Sequence, residues 1–253
     1  MTAVRGKRQA GRSVLAIDAG NTRIKWGAHD GVRWLAQGWV ETARAKDLKT
    51  ALADLHAVQA IVISNVAGSA LRKTIARTLP PKPAPLWIAS TREQCGVRSG
   101  YDSPAQLGGD RWAALIGARR LFAVAAVVVN AGTALTIDAL TGDGVFAGGV
   151  IVPGAELMRK ALAGNTAALK LQPGRFKFFP DTTGDAIMSG AINASCGAIE
   201  RMARFLEDAG QAAPLCVLSG GGAPLIAPCL NLEVKVVDNL VLEGLLTISR
   251  EAP

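Results

Sequence analysis

Short unbroken apolar runs alternate along the chain with stretches of helical spacing, and the apolar runs have the length of strands. Val14-Leu15-Ala16-Ile17 leads straight into Asp18-Ala19-Gly20-Asn21-Thr22, and a second apolar alternation begins near Lys25. That pattern predicts a buried strand, a tight polar turn and a second strand. Gly31 to Val40, with Trp34 and Trp39, predicts the third strand of a meander. Ala43 to Leu55 has helical spacing with exposed charges. Ala60 to Ser64 reads as a buried strand and Gly68 to Thr78 as a helix. Pro80, Pro81, Pro83 and Pro85 mark a loop before a short strand at Leu86 to Ala89.

The second half repeats this theme. Gly96 to Gly109 is polar and turn-rich and holds Tyr101, the only tyrosine. Asp110 to Phe122 reads as a helix, with Trp112, Leu115 and Ile116 at helical intervals. Ala126 to Asp138 then echoes the opening hairpin: strand, polar residue, Ala-Gly, Thr, second alternation, with Asn130 where Asp18 lies. A strand at Phe146 to Val152, helices at Ala155 to Ala163 and Thr183 to Ala209, and strands at Leu215 to Leu218 and Val234 to Val237 follow. A last helix covers Leu240 to Ile248. The internal similarity points to two related halves. Strand order β-β-β-α-β-α-β, antiparallel first and parallel later, is that of a ribonuclease-H-like α/β unit.

The opening turn carries specific chemistry. Gly20 lets backbone approach an anion, Asn21 and Thr22 add neutral donors, Lys25 adds a cation, and Asp18 offers oxygen to a divalent metal. The same residues also suit an ordinary hairpin. Asp110 is equally a helix cap after Gly108-Gly109, and Arg111 equally a surface cation. Ser219-Gly220-Gly221-Gly222, after a strand, suits a flat ligand against bare backbone or a plain loop.

Of the 253 residues 49% are hydrophobic and 19% charged, which excludes global disorder. The net charge of +8 invites a nucleic-acid reading. Arg5, Lys7, Arg8 and Arg12 account for part of it in a leading segment, and the rest is scattered, so an anionic small substrate fits better than nucleic acid. Cys95, Cys196, Cys216 and Cys229 form no C-x-x-C pair, which argues against zinc and for a reducing cytoplasm. No signal peptide is expected at the N-terminus. The uncharged run Leu121 to Ile137 is short for a bilayer and broken by Asn130, Gly132, Thr133 and Thr136, so no membrane association is expected.

Asp18-x-Gly-Asn-Thr-x-x-Lys25, Gly109-Asp110-Arg111-Trp112 and Ala131-Gly132-Thr133-Ala134, in that order, resemble type III pantothenate kinases from about Val14 to Ser249. The resemblance implies an α/β fold of two ribonuclease-H-like (actin-like ATPase) domains, with mixed sheets flanked by helices. The division expected is a basic tail over 1–13, one domain over 14–110 and a second over 111–253. It also implies a cytoplasmic homodimer with ATP and Mg²⁺ in a cleft, gripped by two facing hairpins, and phosphorylation of the primary hydroxyl of pantothenate, the first step toward coenzyme A. Carried onto this sequence, Asp18, Ala19, Gly20, Asn21, Thr22, Arg23, Ile24 and Lys25 form the first phosphate loop. Asp18 faces the metal through water, and Thr133 contacts ATP. Tyr101, Gly108, Gly109, Asp110 and Arg111 line the pantothenate site, with Asp110 the general base, and Thr183 is a further substrate contact although Thr182 replaces the family's Asn. The family's activating monovalent cation, K⁺ or NH₄⁺, is bound with the help of an Asp for which Asn130 stands here, an amide without the charge. The alternative function is a non-catalytic, transcription-accessory member of the same family.

Overall fold

The computed structural model describes residues 12–55, 57–166 and 169–251, so all of the expected basic tail except its last two residues lies outside the described residues. The chain divides into two compact units, Met1–Ala89 with Leu245–Pro253, and Ser90–Gly244.

The first unit opens with β1 (Val14–Ala19), β2 (Arg23–His29) and β3 (Trp34–Glu41). A 3₁₀ turn over Thr42–Asp47 runs into the short helix α1 (Leu48–Ala51), followed by β4 (Ala60–Asn65), α2 (Gly68–Thr78) and β5 (Leu86–Trp87). The sheet order is β3-β2-β1-β4-β5. β1 is antiparallel to β2 and parallel to β4. Alternate strand residues face opposite sides, so Leu15, Ile17, Ala19, Ile24, Ile61 and Ile63 form one apolar face, packed under Leu48, Leu71 and Ile75. The helix expected over Ala43 to Leu55 is split into the 3₁₀ turn and the single α turn of α1, and Arg44 leaves helical geometry at φ −111° within it.

The second unit contains β6 (Glu93–Gln94), β7 (Val97–Ser99), α3 (Gly109–Phe122), β8 (Ala126–Ala131), β9 (Ala134–Leu140) and β10 (Val145–Pro153). It continues through α4 (Ala155–Asn165), α5 (Thr183–Asp208), β11 (Leu215–Ser219), α6 (Ala223–Ile226), β12 (Val234–Val236) and α7 (Leu240–Glu251), whose part from Leu245 on groups with the first unit. Its sheet runs β12-β11-β8-β9-β10-β7-β6. One face carries Val127, Val129, Leu135 and Ile137 against Ile192, Cys196, Ile199 and Ala203 of α5. Beyond that face, α3 buries Trp112, Leu115 and Ile116 completely. α3 and α7 approach so closely that a Cβ at Gly117 would lie 2.7 Å from the Leu240 carbonyl oxygen.

The internal echo read from the sequence extends to topology. The run β3-β2-β1-β4-β5 of the first unit matches β10-β9-β8-β11-β12 of the second in order. Asp18 pairs with Lys25 as Asn130 pairs with Thr136, and the second strands of the two hairpins share one pattern of burial. The unit boundary differs from the sequence reading of 110/111. β7 joins the second sheet through Val145↔Arg98 and Phe146↔Ser99, which draws residues 90–110 with it. Strands of two and three residues carry too little alternation to be read from sequence. At the other end of the chain, Arg250 Nη2 donates to the Gly31 carbonyl at 3.2 Å within the first unit.

Candidate functional site

In the first unit the β1–β2 turn is closed by its own backbone. The Gly20 N–H donates to the Arg23 carbonyl at 3.1 Å, and a Cβ at Gly20 would meet that oxygen at 3.2 Å. Glycine here serves turn closure, and its N–H is spent on it. Thr42 clamps the turn from β3's end: its Oγ1 donates to the Gly20 carbonyl at 2.7 Å and its N–H to the Thr22 carbonyl at 3.0 Å. Asn21, Thr22 and Arg23 remain exposed, and Ala19 and Ile24 are buried beneath them. The Arg23 guanidinium stacks over Trp39 at 4.3 Å. Asp18, Lys25 and Trp39 are register partners across β1, β2 and β3, so a carboxylate, an ammonium and an aromatic share one row and one face. Asp18 is only 9% exposed and Lys25 half-buried.

The equivalent turn in the second unit is built likewise. Gly132 N–H donates to the Ala134 carbonyl at 3.0 Å, and Gly154 N–H donates to the Thr133 carbonyl at 2.9 Å. Thr133 itself is exposed. The glycine triplet after β11 packs on this turn: Gly222 N–H donates to the Ala131 carbonyl at 2.9 Å, and a Cβ at Gly220, whose φ is +96°, would lie 2.5 Å from that same oxygen. Close backbone packing accounts for Gly220 and Gly222; only Gly221 faces open space.

Four residues singled out from sequence converge at the start of α3. Gly108 is the N-cap residue and Asp110 lies inside the first turn, so Asp110 does not cap the helix. Its carboxylate accepts the Arg111 N–H at 2.8 Å. The Arg111 side chain, 7% exposed, turns away to the carboxylate of Asp138 on β9, itself 1% exposed. Nε donates at 3.1 and 3.2 Å to its two oxygens and Nη2 donates to Oδ1. The remaining nitrogen, Nη1, reaches the Tyr101 hydroxyl at 3.4 Å. Tyr101 packs on Phe146 at 5.0 Å, and Arg111 lies 5.8 Å from the same ring. Gly149 on β10 completes the fit, since a Cβ there would collide with Asp138 Oδ1 and stand 2.7 Å from Arg111 Nη2.

Burial raises the Asp110 carboxyl above the ordinary carboxylate range, against the pull of the Arg111 N–H and charge. Burial likewise pushes Asp138 up to about 6, opposed by Arg111 and aided by the neighbouring Asp110 charge. At neutral pH Asp138 is ionised. Burial works to lower Arg111, and the Asp138 partner overcomes it, so the guanidinium holds its proton more tightly than usual. A buried fork–carboxylate pair of this kind leaves only Nη1 outside it, and Nη1 is turned to the Tyr101 hydroxyl.

Asp138 was not picked out from the sequence. Its signal was a charge on the two-residue period of an apolar strand, which demands a buried partner. Thr183 is the first residue of α5, after an N-cap at Thr182 whose hydroxyl accepts the Asp185 N–H at 3.2 Å. It lines an apolar groove of about 720 Å³ between α4 and α5 with Pro153, Met158, Leu162 and Ile187, and is not part of the Arg111 cluster.

Among the described residues no three His, Cys, Asp or Glu side chains gather into a metal cage. One carboxylate beside a phosphate-type turn fits Mg²⁺, which keeps most of its waters and shares its sites with substrate phosphates. Asp18 supplies that carboxylate. All four cysteines are free, and no helix among the described residues is long and apolar enough to cross a membrane.

Comparison with known proteins agrees with this chemistry. A family model for type III pantothenate kinase matches residues 14–204. The type III pantothenate kinase of Aromatoleum aromaticum is 50% identical over 94% of this chain and 98% of its own. In fold, a Baf family transcriptional activator from Campylobacter jejuni is similar with a TM-score of 0.60 at 20% identity, over 94% of this chain and 98% of that one. An archaeal actin homologue is similar with a TM-score of 0.52 at 11% identity, over 95% of this chain and all of that one. The fold is that of the actin-like ATPases, and the chain belongs to the type III pantothenate kinase family.

Proposed function

We propose that this protein transfers the γ-phosphoryl group of ATP to the primary hydroxyl of pantothenate, giving 4′-phosphopantothenate, the first step of coenzyme A biosynthesis. The observation that carries the reading is the pairing of Asp110 and Arg111 within a family match that spans most of the chain. Arg111 is engaged by Asp138, which leaves Asp110 half-buried, with its carboxyl raised and without a cation fork of its own.

Such a carboxylate is a fitting proton acceptor. The hydroxyl of pantothenate gives its proton to Asp110 as its oxygen attacks phosphorus, and the raised pKa brings the base closer to the operating pH. Phosphoryl transfer needs positioning and charge neutralisation above all. Lys25 and the turn from Asp18 to Ile24 neutralise and orient phosphates, and Thr133 belongs to the corresponding turn of the second unit. When bound, Mg²⁺ neutralises charge on the phosphate oxygens; Asp18 holds it through water. Tyr101, Gly108, Gly109 and Arg111 form the pantothenate pocket, where Arg111 Nη1 is the donor left for an acceptor group. Thr183 serves pantothenate from the α5 start. Asn130 offers a neutral oxygen to a monovalent cation, so K⁺ or NH₄⁺ is a weaker requirement here than a carboxylate would make it.

The working form is a cytoplasmic homodimer. Its support is the apolar surface of α4 and α5, with exposed Leu157 and Leu162, and four free thiols.

A coupled assay of ADP release with pantothenate, run with and without K⁺ or NH₄⁺, tests the activity. Pantothenate-dependent turnover is expected in both conditions. None in either would overturn the reading.

A further inference from the structure

Ser64 is the register partner of Asp18 on the parallel strand β4, so the two side chains leave the same face of neighbouring strands whose backbones lie about 4.8 Å apart. It is completely buried, yet its Oγ makes no hydrogen bond to any described residue. A hydroxyl buried without a partner is costly to the fold and calls for an explanation.

The second unit supplies the comparison. At the equivalent place on β11, Ser219 is the register partner of Asn130. There the hydroxyl is used by the protein, accepting the Leu240 N–H at the start of α7 at 3.3 Å. Two serines occupy the same position of a duplicated sheet. The one beside the amide is satisfied within the fold; the one beside the carboxylate is left for something else. The acidic half is also the half whose turn suits a hydrated divalent ion, and such an ion brings waters that need both donors and acceptors. A serine hydroxyl is both.

We propose that Ser64 is a positioning residue of the divalent-metal site: together with Asp18, its hydroxyl holds a water of the hydration shell of the metal bound to ATP. This rests on the kinase reading above, and it adds to that reading a residue on β4, outside the phosphate turn.

The test uses the full-length chain, Ser64→Ala, thermal unfolding and titration calorimetry, each with ATP plus Mg²⁺ and with ATP plus EDTA. Without nucleotide, Ser64→Ala should unfold at the same temperature or higher, because the deleted hydroxyl had no partner. The Mg²⁺-dependent part of the ATP-induced rise in unfolding temperature should shrink, and the Kd for Mg·ATP should weaken about three- to tenfold, with the Mg²⁺-free Kd unchanged. A purely structural serine would shift the ligand-free unfolding temperature and leave the Mg²⁺-dependent part alone; that result would overturn the inference. Should Ser64→Ala fail to fold, Ser64→Cys keeps the volume with a weak hydrogen-bonding group, and must show the same loss of Mg²⁺ response. If the unaltered protein showed no response to Mg·ATP, the kinase reading itself would fall, and with it this one.

Discussion

Arg111 and Asp138, 27 positions apart in sequence, form a buried pair in which two of the three guanidinium nitrogens are committed to one carboxylate. The pair ties the start of α3 to the middle of β9. Each partner alone would be an uncompensated buried charge, which is far more costly than the pair is favourable. Asp138→Leu should therefore cost about 3–5 kcal/mol in urea unfolding. The double variant Arg111→Met, Asp138→Leu should recover most of that loss, because apolar replacements of both partners are well tolerated, yet remain inactive. Recovery of activity along with stability would show that Arg111 has no role beyond packing.

Gly149 probes the same pair without removing a charge. A methyl group there presses on Asp138 Oδ1, on Arg111 Nη2 and on the Ile137 carbonyl, the last of which is backbone and cannot swing aside. Gly149→Ala should destabilise by about 1–3 kcal/mol, as overpacking does. The loss in kcat/KM for pantothenate at temperatures well below unfolding should exceed that in KM for ATP, since the strain falls on the Arg111 fork. Equal effects on both substrates would argue against a pantothenate role for Arg111.

The pH profile follows from burial. Asp110 must be deprotonated to accept a proton, and its carboxyl is raised, so activity is lost as pH falls through a value above the ordinary carboxylate range. Asp138, at about 6, must also be ionised to hold Arg111. With Asp110 as the proposed base, the acid limb of kcat/KM should accordingly carry two protons, the Asp138 step at about 6 and the Asp110 step above the ordinary carboxylate range, and fall more steeply than one proton allows. Asp110→Asn should lower kcat about 10²- to 10⁴-fold with the fold intact. A flat profile down to pH 4 would remove Asp110 as the base.

Much of this was legible in the chain. The strand-turn-strand of Val14 to His29 and its echo in the second half stood out because apolar runs flank short polar turns, and both were found where expected. The sequence places residues 90–110 with the first half, whereas the compact units divide at Ala89/Ser90, because β6 and β7 are too short for alternation to register and join the second sheet only through pairing with β10. The site was legible where motif residues are contiguous, as in Gly109-Asp110-Arg111. It was not where partners are distant: Asp138 meets Arg111, and Ser64 comes into register with Asp18, only once the sheets are formed. Invisible in the sequence is that the Gly20 N–H closes its own turn onto the Arg23 carbonyl.

The first turn offers a separate test. Lys25 is half-buried in the row Asp18–Lys25–Trp39, next to the exposed residues of the turn. Lys25→Met keeps the length of the stem and removes the charge. It should raise KM for ATP and lower kcat, together about 10²-fold in kcat/KM, through lost charge neutralisation at the phosphates. Unfolding should change by less than about 1 kcal/mol, because a partly solvated cation beside one carboxylate contributes little to stability. An unchanged KM for ATP would take Lys25 out of the phosphate site.

Beside α4 and α5, the second unit offers the proposed homodimer one more apolar surface. Phe178 and Phe179 are 86% and 92% exposed, two adjacent aromatic rings in water. They are held out by a stiff support. The Lys177 ammonium donates to Asp181 at 2.6 Å and pairs with Asp185 at 2.9 Å, the Arg175 N–H donates to Asp185 at 2.8 Å, and Phe176 packs on Phe178 at 5.7 Å. Exposed aromatic rings on such a segment make effective anchors of an interface. Phe178→Ser with Phe179→Ser should convert a species of twice the chain mass, measured by light scattering at micromolar concentration, to one of single mass. Ligand-free stability at high dilution should stay the same, since neither ring contributes to the core. A variant that remains at double mass would move the interface away from this segment, and an unaltered chain at single mass would remove the dimer.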